Sequence, residues 1–267
     1  MTVKPWETDE WKERQRRWQE ETRRQIQAGF DNLQRLRISD ADDRAGVPLS
    51  NYNAKSQDEK ISVYFRDLES HLIEYIQEAD IVLGCVAWLT SEPILKALAH
   101  LKGVSIIVQK EDFLRPDLTQ RPNWTRRLRT LYDKLPNTLD RLSIGGTLHN
   151  MSCCGDPTVA PVRCVGNYNS EKKPAFPRSH HKFVLFCELL VPSEEHNFGD
   201  ADYIPYAVWT GSFNFTETAS RSFENALVLR DPAIVQAFYQ EYSQVAALSE
   251  PLDWEAEWSE PEWRIGT

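Results

Sequence analysis

The sequence predicts an α/β protein, a sheet with helices packed on it, preceded by an extra long N-terminal helix. Three observations carry this. The runs 81–89 and 104–108 are continuously apolar and of strand length, as expected of strands buried on both faces. Between them, Ser91-Glu92-Pro93 has the cap and first-turn proline of a helix start, and Gly103 supplies a stop. From Lys60 onward, strand, helix, strand, helix and strand follow one another at the spacing of helix-covered sheets.

Taken in order, residues 5–36 read as one polar helix. Trp6, Trp11, Trp18, Ile26, Phe30, Leu33 and Leu36 recur at roughly helical spacing among many charges, with Thr8 as cap. Residues 38–60 read as a loop, broken by Gly46, Pro48, Ser50, Asn51 and Asn53. A strand over 61–65 and a helix over 67–76 precede the first buried strand, and the capped helix after it runs to about Lys102. Residues 111–135 are basic and proline-punctuated, with a helix over 124–131. Strands follow at 162–165, from His180, at 206–209 and at 226–229, and Asp231-Pro232 caps a helix to about Leu248. The organisation expected is an N-terminal helix and linker (1–59), one domain (60–248) and an acidic, Trp-rich tail (249–267).

Composition bounds the function. The chain has 267 residues, 41% hydrophobic and 11% aromatic, which are the proportions of a folded globular domain. It has neither a run of the roughly 18 apolar residues that a membrane span needs nor the apolar core of a secretory signal. A cytoplasmic protein is the expectation. Five cysteines, Cys85, Cys153, Cys154, Cys164 and Cys187, are too few and too irregular for a disulfide scaffold, and the adjacent pair lacks the spacer of a zinc site. No metal or cofactor is expected. The net charge of −9 is concentrated at one end, with eight acids and one base after Arg230. Local fields elsewhere are positive: eight bases face five acids in 110–141, and five face one in 163–182.

The chemistry lies in residues 178–225. His180 and Lys182 are two apart at the head of an apolar strand, and Ser212 and Asn214 repeat that spacing. Glu224 follows in Ser222-Phe223-Glu224-Asn225. An imidazole near neutrality attacks phosphorus or moves a proton, and a cation with neutral donors meets the charge that builds on phosphate oxygens. Glu224 can accept from an imidazole and fix its tautomer. No cluster of acids resembles a two-metal site, so a metal-free route is favoured.

His180-x-Lys182, an apolar strand, Gly211-Ser212-x-Asn214-Phe215 and then Ser222-Phe223-Glu224-Asn225 resemble the phospholipase D superfamily, in particular its single-motif, nuclease-type members. The resemblance covers roughly residues 60–248 and implies a phospholipase D-like mixed sheet flanked by helices. It also implies that His180 is the nucleophile and forms a phosphohistidine, that Lys182, Ser212 and Asn214 bind the phosphate, and that Glu224 supports them. A second motif histidine protonates the leaving group, which for a single-motif chain implies a homodimer with a two-fold axis through the site. Two departures stand out. Cys187 falls where the family has an aspartate, with Glu188 on the opposite strand face, and the spacer to Gly211 is long, reading as a loop inserted at 192–202. His100-x-Lys102 repeats the spacing but sits at a helix end, where bases are common. His181 points to the other strand face.

The leading expectation is a metal-independent phosphodiesterase, an endonuclease acting on DNA rather than RNA. Arg126, Arg127, Arg129, Lys172, Lys173 and Arg178 would contact the substrate backbone. A phospholipid hydrolase or transferase is the second reading, disfavoured by the lack of a basic amphipathic or membrane-spanning segment. The third is a silent dimeric interaction module that binds a protein partner through the N-terminal helix or the acidic tail.

Overall fold

Side-chain alternation along the strands sets this architecture. The computed structural model describes residues 8–39, 46–115, 122–144, 147, 151–152, 158–167, 177–190, 203–253 and 264–265. They divide into two compact units, one of Met1–Asn51 with Arg221–Phe223 and the other of Tyr52–Ser220 with Glu224–Thr267.

In the first unit, helix α1 spans Asp9–Gln27, and the Thr8 hydroxyl accepts the Trp11 N–H at 3.2 Å. No residue of α1 is buried. Its support is local, from pairs one turn apart such as Glu13 with Arg17 and Glu21 with Arg24. The expected helix over 5–36 is therefore shorter at its C-terminal end. Gly29 adopts a φ of 81°, a left-handed conformation that ends the helix, and Leu33–Arg35 is a separate 3-10 turn capped by Asn32. Strands β1 (Arg37–Ile38) and β2 (Val47–Pro48) pair antiparallel where the sequence predicts loop.

The second unit holds an eight-stranded mixed sheet, so the α/β class with flanking helices is the one observed. Its strands are β3 (Ala54–Lys55), β4 (Ile61–Tyr64), β5 (Ile81–Val86), β6 (Gly103–Gln109), β8 (Val162–Val165), β9 (Lys182–Leu189), β10 (Tyr203–Gly211) and β11 (Ala226–Leu229). The order is β3-β4-β11-β10-β9-β5-β6-β8. Only β5–β6 and β6–β8 are parallel; every other pairing in this sheet is antiparallel. Two short strands, β7 (Met151–Ser152) and β12 (Arg264–Ile265), pair separately.

Helices α2 (Leu68–Glu78), α3 (Glu92–Leu98) and α4 (Pro122–Tyr132) cover one face, with Leu72, Ile76, Ile94, Leu95 and Leu128 packed on Val82, Val86, Val184, Phe186 and Trp209. Helix α5 (Arg141–Ile144) is short. Helix α6 (Pro232–Ala247) covers the other face, with Val235, Tyr239 and Tyr242 on Leu83, Cys85, Phe183, Leu185 and Cys187. Each capping residue expected from the sequence serves: Ser91 Oγ accepts the Ile94 N–H, and Asp231 accepts from Ala233 and Ile234. Helix α3 ends at Leu98, earlier than expected, and Gly103 opens β6 rather than stopping the helix. Gly84 of β5 leaves no room for a side chain against β9. A Cβ there would lie 2.4 Å from the Phe183 carbonyl oxygen.

Past α6 the chain returns to the sheet edge. Glu250 bridges to Cys164 of β8, Arg163 donates to the Ser249 hydroxyl at 2.8 Å, and the fully buried Lys110 forms an ion pair with Glu250. Residues 254–263 of the expected tail lie outside the described residues, as do the 192–202 insert, Cys153 and Cys154.

Candidate active site

Mixed strand direction brings the motif residues to one end of the sheet. Lys182 opens β9 opposite Val86, the last residue of β5, and Gly211 closes β10 opposite Ala226, the first residue of β11. The carboxyl ends of β5, β6 and β10 therefore meet the amino ends of β9 and β11. In open α/β sheets the carboxyl ends of parallel strands are where ligands collect.

The His180 segment is tied on both sides. The Ser179 N–H donates to Gln109 Oε1 at 2.6 Å, and the His181 carbonyl accepts the Ala87 N–H at 2.8 Å. Lys182 Nζ lies 3.0 Å from His180 Nδ1 and 3.3 Å from Nε2, and it donates to the His180 carbonyl at 3.0 Å. His180 as a whole is exposed, yet its ring loses water against its neighbours, with Trp88 standing edge-on at 6.2 Å between ring centroids. That partial desolvation, then the charges of Lys182 and Arg178, hold its pKa below the ordinary 6.5. Desolvation also lowers the pKa of Lys182, against the opposing pull of Glu224. The result is a neutral imidazole beside an ammonium.

Strand parity separates Lys182 from Cys187. Val184 and Phe186 share the face of Lys182 and pack under α2 and α3, whereas Phe183, Leu185 and Cys187 pack under α6. Cys187 is fully buried, and burial pushes its thiol far above the ordinary range. His181 faces α6, where Nε2 lies 3.2 Å from Glu241 Oε1.

The second half of the site follows β10. Gly211 permits the chain to press against β11; a Cβ there would lie 2.2 Å from the Asn225 carbonyl oxygen and 2.8 Å from Ala226 Cα. Beyond it, Phe213 and Phe215 are buried while Ser212 is exposed and Asn214 half-buried, so alternation persists past the strand end. Burying each phenyl ring contributes roughly 1.5–3 kcal/mol and anchors the loop. The Phe215 carbonyl accepts both the Thr90 and the Ser91 N–H at 2.8 Å. Ser212 Oγ donates to Glu224 Oε2 at 2.5 Å and accepts the Asn225 N–H at 3.0 Å. Asn214 Oδ1 is buried and has no hydrogen-bond partner among the described residues. Amide oxygen and nitrogen exchange by a half-turn, so this side chain can present either a donor or an acceptor.

Other expected residues distribute unevenly. Arg178 reaches the site, with Nη1 3.7 Å from Glu111 Oε1. Arg126 and Arg127 lie on α4, and Arg127 pairs with Glu92. Arg129 is turned to Asp253 at 2.8 Å and to the Leu114 carbonyl. Lys172 and Lys173 lie outside the described residues. His100 is exposed just past α3, and Lys102 pairs with Asp80 at 2.7 Å.

Three neighbours of His180 carry no sequence signal of their own: Trp88, Gln109 and Glu111. Glu111 Oε1 accepts the Trp88 Nε1 N–H at 3.3 Å and faces Arg178, and burial raises its pKa. The signal that finds them is positional. Each lies at or just past the carboxyl end of β5 or β6, where the sheet places ligands.

No family model matches the chain. Among solved structures it is similar to Nuc of Salmonella typhimurium, described as a phospholipase D family member, at 16% identity and a TM-score of 0.40 over 71% of this chain and 95% of that one. It is also similar to NucT of Helicobacter pylori, at 15% identity and a TM-score of 0.41 over 70% of this chain and 96% of that one. Uncharacterized protein L381 of Acanthamoeba polyphaga mimivirus is 32% identical over 225 residues, which are 79% of this chain and 73% of that protein. With that identity over that share of both chains, this protein belongs to the same family as L381 of the mimivirus.

Proposed function

We propose that this protein is a metal-independent phosphodiesterase, an endonuclease acting on DNA in preference to RNA, which works through a phosphohistidine. One observation supports it above the others: the His180 ring, its pKa held below the ordinary value, lies 3.0 Å from Lys182 Nζ at the sheet end that also holds the Ser212–Glu224 pair and Asn214 Oδ1, which has no hydrogen-bond partner among the described residues. Those groups match the needs of a phosphodiester in turn. The His180 ring attacks phosphorus, forming the P–N bond as the bond to the leaving oxygen breaks. Lys182, Ser212 and Asn214 take the non-bridging oxygens, where charge accumulates, the Ser212 hydroxyl turning its one proton from Glu224 to do so. Glu224 orients the Ser212 hydroxyl and offsets part of the positive charge. Arg178, with Arg126 and Arg127 further out, would hold flanking phosphates.

The leaving oxygen needs a proton, and the chain has one His-x-Lys motif of this kind. In the proposed homodimer the His180 of a second copy supplies that proton. It then takes one from the water that attacks the phosphohistidine, which returns both rings to their starting state.

Supercoiled plasmid, single-stranded DNA, RNA and a short-chain phosphatidylcholine incubated in EDTA test this reading. Cleavage of DNA is expected, falling by on the order of 10⁴-fold in His180→Ala. Turnover of the lipid alone favours a phospholipase instead. Cleavage that needs added metal overturns the mechanism, and a monomeric active species in sedimentation velocity overturns the shared site.

A further inference from the structure

Helices α3 and α4 enclose a groove of about 350 Å³ whose walls carry Lys96, Arg126, Arg127 and Lys134 against a single carboxylate, Glu92. That carboxylate is already engaged, by Lys96 at 3.0 Å and by Arg127. Arg126 and Lys134 have no salt-bridge partner recorded among the described residues, and they stand about two turns apart on the α4 side of the groove. Four cations against one acid make a local positive field in a chain whose net charge is −9.

The groove begins where the candidate site ends. Helix α3 starts at Glu92, directly after Thr90 and Ser91, whose N–H groups both donate to the Phe215 carbonyl next to Asn214. Groove and Lys182 lie on the same side of the sheet, the side covered by α2, α3 and α4. At the first turn of α4, beside the groove residue Asn123, Trp124 is 40% exposed and held edge-on by Phe113 at 5.5 Å. A fixed, exposed indole beside a cationic track is the combination that suits unpaired bases, which have a free π-face; a duplex does not offer one.

We propose that the α3–α4 groove holds the backbone of a single-stranded nucleic acid leading away from the phosphate at His180, with Trp124 stacking on one of its bases. This rests on the phosphodiesterase reading only in naming the site from which the strand departs. Binding is therefore measured without turnover, in the full-length His180→Ala protein, by fluorescence anisotropy of labelled 15-nucleotide oligothymidylate and of a matched duplex across a salt series.

Adding Arg126→Gln and Lys134→Gln is expected to flatten the log Kd–log salt slope by about 1.4, since each phosphate contact on a single strand contributes roughly 0.7. Adding Trp124→Ala instead is expected to weaken oligothymidylate about thirtyfold, the middle of the range for one lost base stack. Melting curves serve as the check that each variant is folded. Unchanged affinity and slope in the double variant overturn the groove. Duplex binding as tight as single-strand binding, and indifferent to Trp124→Ala, overturns the single-strand assignment. If the parent binds neither nucleic acid, the nucleic-acid reading of the active site falls with it.

Discussion

Lys182 Nζ stands 3.0 Å from His180 Nδ1, so a second positive charge on the ring meets a fixed one. With partial desolvation and Arg178, this lowers the His180 pKa below 6.5. The attacking ring must be neutral while its counterpart in the proposed second copy carries the proton, so activity is expected to rise with pH along an acid limb whose midpoint lies below that value. It should fall again at higher pH as the donor ring of the second copy and Lys182, itself lowered from 10.5, lose their protons. Folding follows the same sign: the folded state binds this proton more weakly than the unfolded chain, so His180 costs stability as pH drops below 6.5. Lys182→Met should move the His180 titration upward, read from histidine ring resonances. A wild-type midpoint above 6.5 would contradict the arrangement.

Ser212 Oγ bridges the Glu224 carboxylate and the Asn225 N–H. Ser212→Ala removes the hydroxyl whose proton would turn from Glu224 to the phosphate, and kcat should fall on the order of 10²-fold with little change in melting temperature. Glu224→Gln keeps an acceptor for the hydroxyl but deletes the charge that raises the Lys182 pKa. Its signature is an alkaline limb shifted to lower pH. Equal losses in both variants with unmoved pH profiles would reduce the pair to a structural brace.

Gly211 is a steric requirement of the β10–β11 pairing, since a Cβ there would overlap the Asn225 carbonyl. Backbone cannot swing away as a flexible side chain can. Gly211→Ala should therefore destabilise by about 1–3 kcal/mol, the cost of overpacking a fixed interior, and displace Ser212 from Glu224. Urea unfolding measures the first effect and cleavage activity the second. A variant as stable as the parent would mean that the strands separate at little cost.

Much of this was legible in the sequence, and the reason is local. The strands at 162–165 and 226–229 appear at the predicted residues, and Ser91 and Asp231 cap the helices they precede. Apolar runs and capping side chains act within a few residues, so they can be read without a partner. Trp88, Gln109 and Glu111 were not legible. They join the site only because β5 and β6 run parallel beside an antiparallel β9, which is a long-range fact of pairing. The overlong N-terminal helix failed for a third reason: the apolar spacing continued through Phe30 and Leu33, but Gly29 in a left-handed conformation ended the helix before them. Cys187 became intelligible only once the faces were known, because the position opposite Lys182 is core.

The buried pair of Lys110 and Glu250 gives the last test. Lys110 is fully buried and Glu250 nearly so, at the edge where residues 249–251 clamp onto β8 beside Cys164, whose thiol is pushed up to about 12 chiefly by burial. Removing the carboxylate takes from a buried ammonium the charge that Glu250 sets against it, which costs about 3–5 kcal/mol. Replacing both partners with apolar residues of similar volume removes the two desolvation costs along with the attraction, and is often neutral or stabilising. Glu250→Leu alone should therefore lower stability by that amount, while Lys110→Met with Glu250→Leu recovers most of it, both read from urea unfolding. Recovery would identify the pair as charge compensation. A double variant no more stable than Glu250→Leu would mean instead that the ion pair specifies how the C-terminal segment docks on β8.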